Sequence, residues 1–420
     1  MNPDFEASYY ALRKIYSEAA YSNIEINEAT EKYEKCSPGF VRYVVKGVLR
    51  NTFLLDYKIE RLARNGLRGM KAKTKVLLRI GIYILDEMDD IPDAVCVHET
   101  VELAKRVNRP NSSFINAVLR SYLRKDRDIA VPDGSSTQAL SIRYSCDPKL
   151  IRLILRQYGQ EEGIRMLRAF NEPVDVSLRC NPMVQSRQVL LEKLSQNGME
   201  VEPAEETENG IYLKKGKIVN SEYFLNGACS IQGISSQIAI EALDPKEGEI
   251  VLDLCAAPGG KSAAAAERMN DTGILDAWDV HEHRVELIRK NAERLHLSII
   301  SPSVHDSTVY DPSLGNRYDA VIADVPCSGL GTISSKPEIK LRTDTSYGSL
   351  IEVQRRILEN AWKYAKPGGR VMYSTCTINR DENDGVIREF LTANPAAVVV
   401  EKKQLLPYNK NGFFFCIIRK

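Results

Sequence analysis

No apolar run in the 420 residues approaches the ~18–20 needed to cross a bilayer, and none of the nine cysteines belongs to a C-x-x-C pair. The first absence argues against a membrane span. The second, with an odd and scattered set at 36, 96, 146, 180, 229, 255, 327, 376 and 416, argues against zinc sites and a disulfide framework. No metal is expected, and reduced thiols fit a cytoplasmic protein. Net charge is missing as well: 57 basic residues meet 56 acidic ones, leaving +1. The chain is therefore not a wholly basic nucleic-acid coat, and any such binding must come from local clustering. With 43% apolar residues it is not a disordered polyelectrolyte either. The N-terminal stretch MNPDFEASYYALRKIY carries acids and has no apolar h-region, unlike a signal peptide. Internal repeats and low-complexity tracts are absent. At ~150 residues per domain, the length suggests two or three domains.

Strand-like alternation is lacking from the first 125 residues. Val41, Val44, Val45, Val48 and Leu49 recur at helical spacing, as do Val76, Leu77, Ile80, Ile84 and Leu85, and Phe114, Ile115, Val118, Leu119 and Tyr122. Breakers separate them at Ser37-Pro38-Gly39, Ile91-Pro92-Asp93 and Arg109-Pro110-Asn111-Ser112, the last offering Asn/Ser as a helix cap. An all-α bundle is expected over 1–130. The polar stretch 131–137 reads as a linker. A small α+β module is expected over 138–228, with helices near 138–157, 161–171 and 186–197 and strands at Val174–Cys180, Ile211–Leu213 and Lys217–Val219. From 229 to 420 strands and helices alternate. Strands are expected at Ile250–Leu254, Ile274–Val280, near 299–304, and at Asp319–Val325, Arg370–Thr375, Ala397–Val400 and Phe413–Ile418. This is the pattern of a parallel sheet covered on both faces. The connection before the last strand is too short for a crossover helix, so that strand should pair antiparallel.

The strand Ile250–Leu254 runs into Cys255-Ala256-Ala257-Pro258-Gly259-Gly260-Lys261 and then a helix. Small residues at such a turn let a ligand approach the backbone closely. A lone Gly-Gly would be an ordinary tight turn, but a second acid, Asp279, ends the next strand, where it can bond ribose hydroxyls. Neither G-x-G-x-x-G nor G-x-x-x-x-G-K-[ST] is present, which disfavours a dinucleotide and excludes a P-loop. Cys327 and Cys376 each follow a strand, so both can face one crevice at the carboxyl edge of the sheet.

LDLCAAPGGK at 252–261, ADVPCSG at 323–329 and YSTCT at 373–377 resemble the motifs of S-adenosylmethionine-dependent RNA cytosine-C5 methyltransferases. SEYFLNGACSIQ at 221–232 resembles the segment that precedes their catalytic domain. VHETVELAKRV at 97–107 and FINAVLR at 114–120 are similar to the antitermination factor NusB. The combination resembles the RsmB/Sun (Fmu) family of small-subunit (16S) rRNA cytosine methyltransferases, over essentially the whole chain. It implies a NusB-like helical bundle, a small α+β module and a Rossmann-like class I methyltransferase domain of seven strands with an antiparallel last strand.

The resemblance also implies roles. Cys255, Ala256, Ala257, Pro258, Gly259, Gly260 and Lys261 would line the cofactor, S-adenosyl-L-methionine. Asp279 would hold its ribose, Asp306 would lie near its adenine, and Asp324 would border both cofactor and target base. Asp306 read alone is as readily a solvated loop acid. Cytosine C5 is a poor nucleophile; adding a thiolate at C6 makes it reactive, a case of covalent catalysis. The resemblance makes Cys376 that nucleophile, Cys327 the residue that lets the product go, and Asp324, in protonated form, the contact to base N3. Lys261 is a further candidate at the target nucleotide and near the thiolate, whose formation needs positive charge or backbone donors. The remaining cysteines read as small core residues, except Cys255, a lining residue without chemistry. Gly233, Leu341 and Asn411 depart from the family pattern, outside the catalytic set.

Between 42 and 79 lie eleven basic residues (Arg42, Lys46, Arg50, Lys58, Arg61, Arg64, Arg68, Lys71, Lys73, Lys75 and Arg79) against two acids, Asp56 and Glu60. A charge run is usually a solvated face. The one-signed excess, in a domain resembling an RNA-binding factor, points instead to a phosphate-contacting surface for the rRNA. The target cytosine is expected to be unpaired or flipped out, and the protein to act as a monomer. The competing readings are a tRNA-directed enzyme of the same chemistry and a non-catalytic antitermination-like RNA-binding module. A DNA-type enzyme would attack with the D-x-P-C cysteine; the second cysteine, Cys376, sets this chain apart.

Overall fold

The computed structural model describes residues 2–18, 20–342 and 346–420. The chain forms two compact units: Met1–Asn171 together with Ile333–Thr345, and Glu172–Thr332 together with Ser346–Lys420.

The first unit is helical, as the periodicity requires. Helices run Pro3–Glu18, Ser22–Lys32, Pro38–Arg50, Thr52–Leu62, Ala72–Glu87, Asp93–Val107 and Ser112–Arg124. Ser37 caps the third, its side chain accepting from the Phe40 N–H with Pro38 in the first turn. Ala72–Glu87 is buried almost all round, which makes it the central helix. Gly47 leaves the space that the Tyr83 ring fills; a Cβ there would lie 1.9 Å from it. Asn111 does not cap Ser112–Arg124 as expected: its side-chain amide instead donates to Asn108 Oδ1 at 3.0 Å.

The single helix expected near 138–157 is two, Thr137–Arg143 and Pro148–Tyr158. Ser145 at φ +49° breaks the run, and Asp147-Pro148 starts a new helix with an Asp cap. These helices and Gln160–Ala169 group with the N-terminal helices.

The segment 333–342 leaves the second unit's sequence and is built into the first. Ser334 Oγ donates to Ala169 O (3.1 Å), Lys46 Nζ to Ser335 O (3.1 Å) and Arg50 Nη2 to Ser334 O (3.3 Å). The Ser22 N–H donates to Glu338 Oε1 (3.1 Å). Lys340 is fully buried, with Nζ donating to Arg50 O (2.9 Å) and Asn171 Oδ1 (2.6 Å).

The second unit holds two sheets. Strands β1 (Val176–Cys180), β2 (Glu200–Pro203), β3 (Gly210–Lys215) and β4 (Cys229–Ile231) form an antiparallel sheet in the order β2-β3-β1-β4. The strand expected at Lys217–Val219 is absent. Both edges of β3 are already taken, by β1 and β2, and the chain turns away at Gly216 (φ +129°). Strands β5 (Ile250–Asp253), β6 (Ile274–Asp279), β7 (Ile300–Val304), β8 (Tyr318–Asp324), β9 (Ala365–Thr375), β10 (Val398–Leu405) and β11 (Phe413–Arg419) form the large sheet, ordered β10-β11-β9-β8-β5-β6-β7. The five from β9 to β7 run parallel, and β11 is antiparallel to both its neighbours, as its short connection demands. Apolar clusters cover both faces, one around Ala263–Ala266 and Ile288, the other around Leu358, Tyr364 and Phe390.

Lys340 yields a pH test of the first unit. Burial, helped by the Arg50 charge and opposed by Cys146, pulls its ammonium down from 10.5 to about 7. A depressed lysine contributes stability that is present above its unfolded value and lost as pH falls through the folded one. Relative to Lys340→Met, the wild-type urea midpoint should therefore rise from pH 7 to pH 10. A pH-independent difference between the two proteins would contradict this assignment.

Candidate active site

Five strands deliver the expected site residues to one edge. Asp253, Asp279 and Asp324 end β5, β6 and β8; Cys376 follows β9 directly, and Asp306 lies just beyond β7. Parallel pairing makes all of these carboxyl ends the same edge.

Asp253 is buried and accepts from Ser262 Oγ at 2.7 Å and the Cys255 N–H at 3.4 Å, tying the strand end to the first turn of helix Gly260–Arg268. Burial pushes its carboxyl up to about 7 against the Ser262 bond. Between them the turn Cys255–Gly259 bends through Gly259 at φ +95°, where a side chain would be strained and would crowd Ile288. A Cβ on Gly260 would meet nothing nearer than Gln232 Nε2 at 3.8 Å, so the backbone here is open to a ligand. Burial drives the Cys255 thiol well above its ordinary value, which suits a lining residue.

Asp279 is 3% exposed and accepts from the His281 N–H at 3.3 Å. Arg284, which sequence reading missed, pairs with it at 3.3 Å and also donates to Ala257 O at 3.3 Å. Asp306 is exposed and accepts from the Thr308 hydroxyl (2.6 Å) and N–H (2.9 Å), both of which lower its carboxyl below the usual range. Its neighbour His305 stacks on Trp278 at 4.2 Å and donates its N–H to Asp279 O.

Asp324 accepts from Lys261 Nζ at 2.7 Å and Ser374 Oγ at 2.8 Å. Burial would lower the Lys261 ammonium, but the Asp324 charge and hydrogen bond outweigh it and the net shift is upward. The thiols of Cys327 and Cys376 are 3.3 Å apart. Cys327 is driven well above the thiol range, first by its hydrogen bond to Cys376 and then by burial. The Lys261 charge also couples to Cys376. The two thiols thus share a hydrogen bond, and the Lys261 charge acts on Cys376. Gly331 donates its N–H to Cys376 O at 3.0 Å, fixing the loop after Cys327 against the Cys376 backbone. Glu382, also missed, is wholly buried and accepts from the Ser328 N–H at 2.8 Å. Its only trace in the sequence is the polar run Asn379–Asp384.

Of the departures from the family pattern, Gly233 precedes helix Ile234–Leu243, with open space where a side chain would go. Leu341 packs on the helical core of the first unit, and Asn411 O accepts from Ser235 Oγ at 2.8 Å. The basic run divides in two. Lys46 and Arg50 serve the 333–342 segment, Lys58 pairs with Asp86 at 2.8 Å, and Arg79 pairs with Asp56 at 2.7 Å; these four are internal links. Arg42, Arg61, Arg64, Arg68, Lys71 and Lys73 are exposed and Lys75 half-buried. Among the described residues no helix is long and apolar enough to cross a membrane, and no cluster of His, Cys, Asp and Glu could hold a metal ion.

Strand order, the antiparallel last strand and the acid-tipped Gly-Gly turn define a class I S-adenosylmethionine-dependent methyltransferase with a helical N-terminal unit. The family description "16S rRNA methyltransferase RsmB/F" matches residues 240–412, the NusB family 6–124, and an RsmF/B-like ferredoxin-like domain 149–220, which spans the division at Asn171. The Bacillus subtilis (strain 168) protein named "Probable ribosomal RNA small subunit methyltransferase B" is 35% identical, over 98% of this chain and 97% of its own. "Ribosomal RNA small subunit methyltransferase B" of Vibrio cholerae is 32% identical over 89% and 87%. The solved structure of PH0851 shares the fold, with a TM-score of 0.84 over 100% of this chain and 99% of its own at 24% identity. A methyltransferase homolog protein from Pyrococcus horikoshii scores 0.62 over 69% and 100%, at 29% identity. The chain belongs to the RsmB/F family of 16S rRNA methyltransferases, and S-adenosyl-L-methionine is its cofactor. The open backbone at Gly260 and the buried acid Asp279 are features that fit this group.

Two glycines test the packing beside Cys376. A Cβ on Gly331 would lie 2.1 Å from Gly412 O and 2.8 Å from Cys376 O, whereas one on Gly348, in the first turn of a helix, meets nothing. Gly331→Ala should cost about 1–3 kcal/mol in chemical denaturation, the range of overpacked sites. Gly348→Ala should be neutral or stabilising by up to about 1 kcal/mol. Equal stabilities would refute the close approach.

Proposed function

We propose that the protein methylates C5 of a specific cytosine in 16S rRNA through a covalent cysteine–C6 adduct, acting in the cytoplasm as a monomer. The observation that carries this reading is the thiol pair Cys376–Cys327, 3.3 Å apart, beside the Lys261–Asp324 ion pair. Cys376 is the nucleophile: the Cys327 thiol and Lys261 favour its thiolate, which adds to C6 of the base. Asp324 faces N3, and a proton moving from Lys261 along their 2.7 Å hydrogen bond would let Asp324 donate there as electrons flow into the ring. S-adenosyl-L-methionine, when bound, supplies an electrophilic methyl group to the activated C5. Cys327, once it has passed its own proton to solvent, then takes the C5 proton as thiolate, the C6–S bond breaks with its electron pair leaving on Cys376, and the base regains its aromaticity. The turn Cys255–Lys261, with Asp279 at the ribose and Asp306 towards the adenine, holds the cofactor. Arg284 fixes the Asp279 carboxylate for that task. The names of the relatives support the rRNA substrate, and the exposed half of the basic run supplies phosphate contacts.

The two cysteines separate by what they trap. Cys376→Ala should neither methylate nor form a protein–RNA adduct. Cys327→Ala should add and methylate but stall, giving a slow band on a denaturing gel, and the double variant should give none. The reverse pattern would assign attack to the D-x-P-C cysteine. Bisulfite sequencing of a deletion strain should show one cytosine of 16S rRNA losing its mark. Loss from tRNA alone would move the substrate.

Neutralising Arg61, Arg64, Arg68 and Lys71 together should weaken RNA binding and flatten its salt dependence, by roughly 0.7–0.9 in log–log slope for each phosphate left unneutralised. An identical slope would remove this face from the interface.

A further inference from the structure

Both cysteine loops converge on one carboxylate that neither sequence motif contains. Glu382 lies in the π-helical turn Asp381–Gly385 and is fully buried. Its Oε2 accepts from the Ser328 N–H (2.8 Å) and Gln354 Nε2 (3.0 Å), and its Oε1 from Ser328 Oγ (2.5 Å) and Asn379 Nδ2 (3.0 Å). Ser328 is the residue after Cys327. Gln354 also donates to the carbonyl of Pro326, the residue before it, at 3.0 Å. Both flanks of Cys327 are thus tied to Glu382. The other loop is held as well. Thr377, the residue after Cys376, bonds its hydroxyl to Ser328 Oγ at 2.7 Å, and Tyr373 on β9 donates to Glu382 O at 2.6 Å.

We infer that Glu382 is a positioning residue that sets the distance between Cys327 and Cys376, and so couples release of the methylated base to its capture; the functional part of this rests on the covalent mechanism above. Thr377 Oγ1 adds a longer contact to Oε1 at 3.5 Å, and all five groups around the carboxylate donate. A glutamine of the same size would turn an NH2 towards N–H donors, and a buried donor left facing donors cannot be satisfied locally. The π-turn leads directly into the helix Val386–Ala393, and such turns are frequent at functional sites. Here it brings Glu382 within reach of Ser328.

The separation can be measured without RNA or methyl transfer. Diamide takes two electrons and two protons from a neighbouring thiol pair, leaving a disulfide and the reduced hydrazine. In the full-length wild type it should close Cys327–Cys376, read as a 2 Da mass loss and one cross-linked peptide. Glu382→Gln should slow that closure about tenfold or more, because such reactions fall steeply with sub-ångström misplacement. Its affinity for S-adenosyl-L-methionine should stay within about twofold, as the cofactor turn shares none of the bonds named here. With RNA, Glu382→Gln should accumulate adduct as Cys327→Ala does. An unchanged closure rate, or cofactor binding lost along with the cysteine chemistry, would overturn the assignment. Should Glu382→Gln fail to fold, Ser328→Ala removes one hydroxyl donor and must also slow closure, and an unchanged rate there counts equally against it. Slow closure with no adduct from Cys327→Ala would keep the positioning role and reject the covalent mechanism. Unchanged closure with an intact adduct pattern would do the opposite.

Discussion

The parallel pairing of β8 with β9 is the constraint on which the site depends. Its register sets Asp324 opposite Ser374 and Ala323 opposite Tyr373, so both strands run out at one level of the sheet. Cys327 and Cys376 leave from those ends and meet within 3.3 Å although 48 residues separate them in the chain. A slip of one residue would carry every side chain of a strand to the opposite face. The register is held from below by the apolar faces of β8 and β9 and from the side by the antiparallel strand β11, which pairs with β9 along Phe414–Arg419.

Where the chain carries charge into its interior, it uses the charge to hold backbone. Arg179 forms a two-pronged bond with Glu267 at 2.7 and 2.8 Å while donating to Gly260 O, so β1 of the small sheet anchors the start of the cofactor helix. Asp253 holds the same turn from the other side through Ser262. In the helical unit Arg50, Lys46 and Lys340 reach carbonyl oxygens rather than solvent. A buried charge is costly unless it is paired or hydrogen-bonded; Lys46, Arg50 and Lys340 reach backbone carbonyls, and Arg179 reaches both a carbonyl and the Glu267 carboxylate.

That use of charge explains what the sequence reveals and what it hides. The sheet strands were readable because apolar runs alternate with helical periods, and the antiparallel last strand followed from a connection too short for a crossover. The site acids were readable because they end strands. Lys46 and Arg50 look like any other members of a basic run; only tertiary structure shows that they bond Ser334 and Ser335. Glu382 sits in a polar stretch that reads as a loop, since its partners come from three other places in the chain. β2 was missed because the four-residue run Glu200–Pro203 is short, carries two acids and ends in proline; it exists as the edge partner of β3.

The segment 333–342 has a consequence for how such a protein can be cut or assembled by evolution. The helical unit is not a detachable cassette. A shortened chain beginning at Glu172 would still encode Ile333, Ile339 and Lys340, all buried, but none of the groups that bond this segment: Ser22, Lys46, Arg50, Asp147, Ala169 and Asn171 would be gone. It would leave an apolar, cation-bearing loop one peptide bond beyond Thr332, on the same stretch of chain that carries Cys327. A gene gaining or losing the N-terminal helices must therefore rewrite the middle of its methyltransferase sequence at the same time, which binds the two halves into one unit of inheritance.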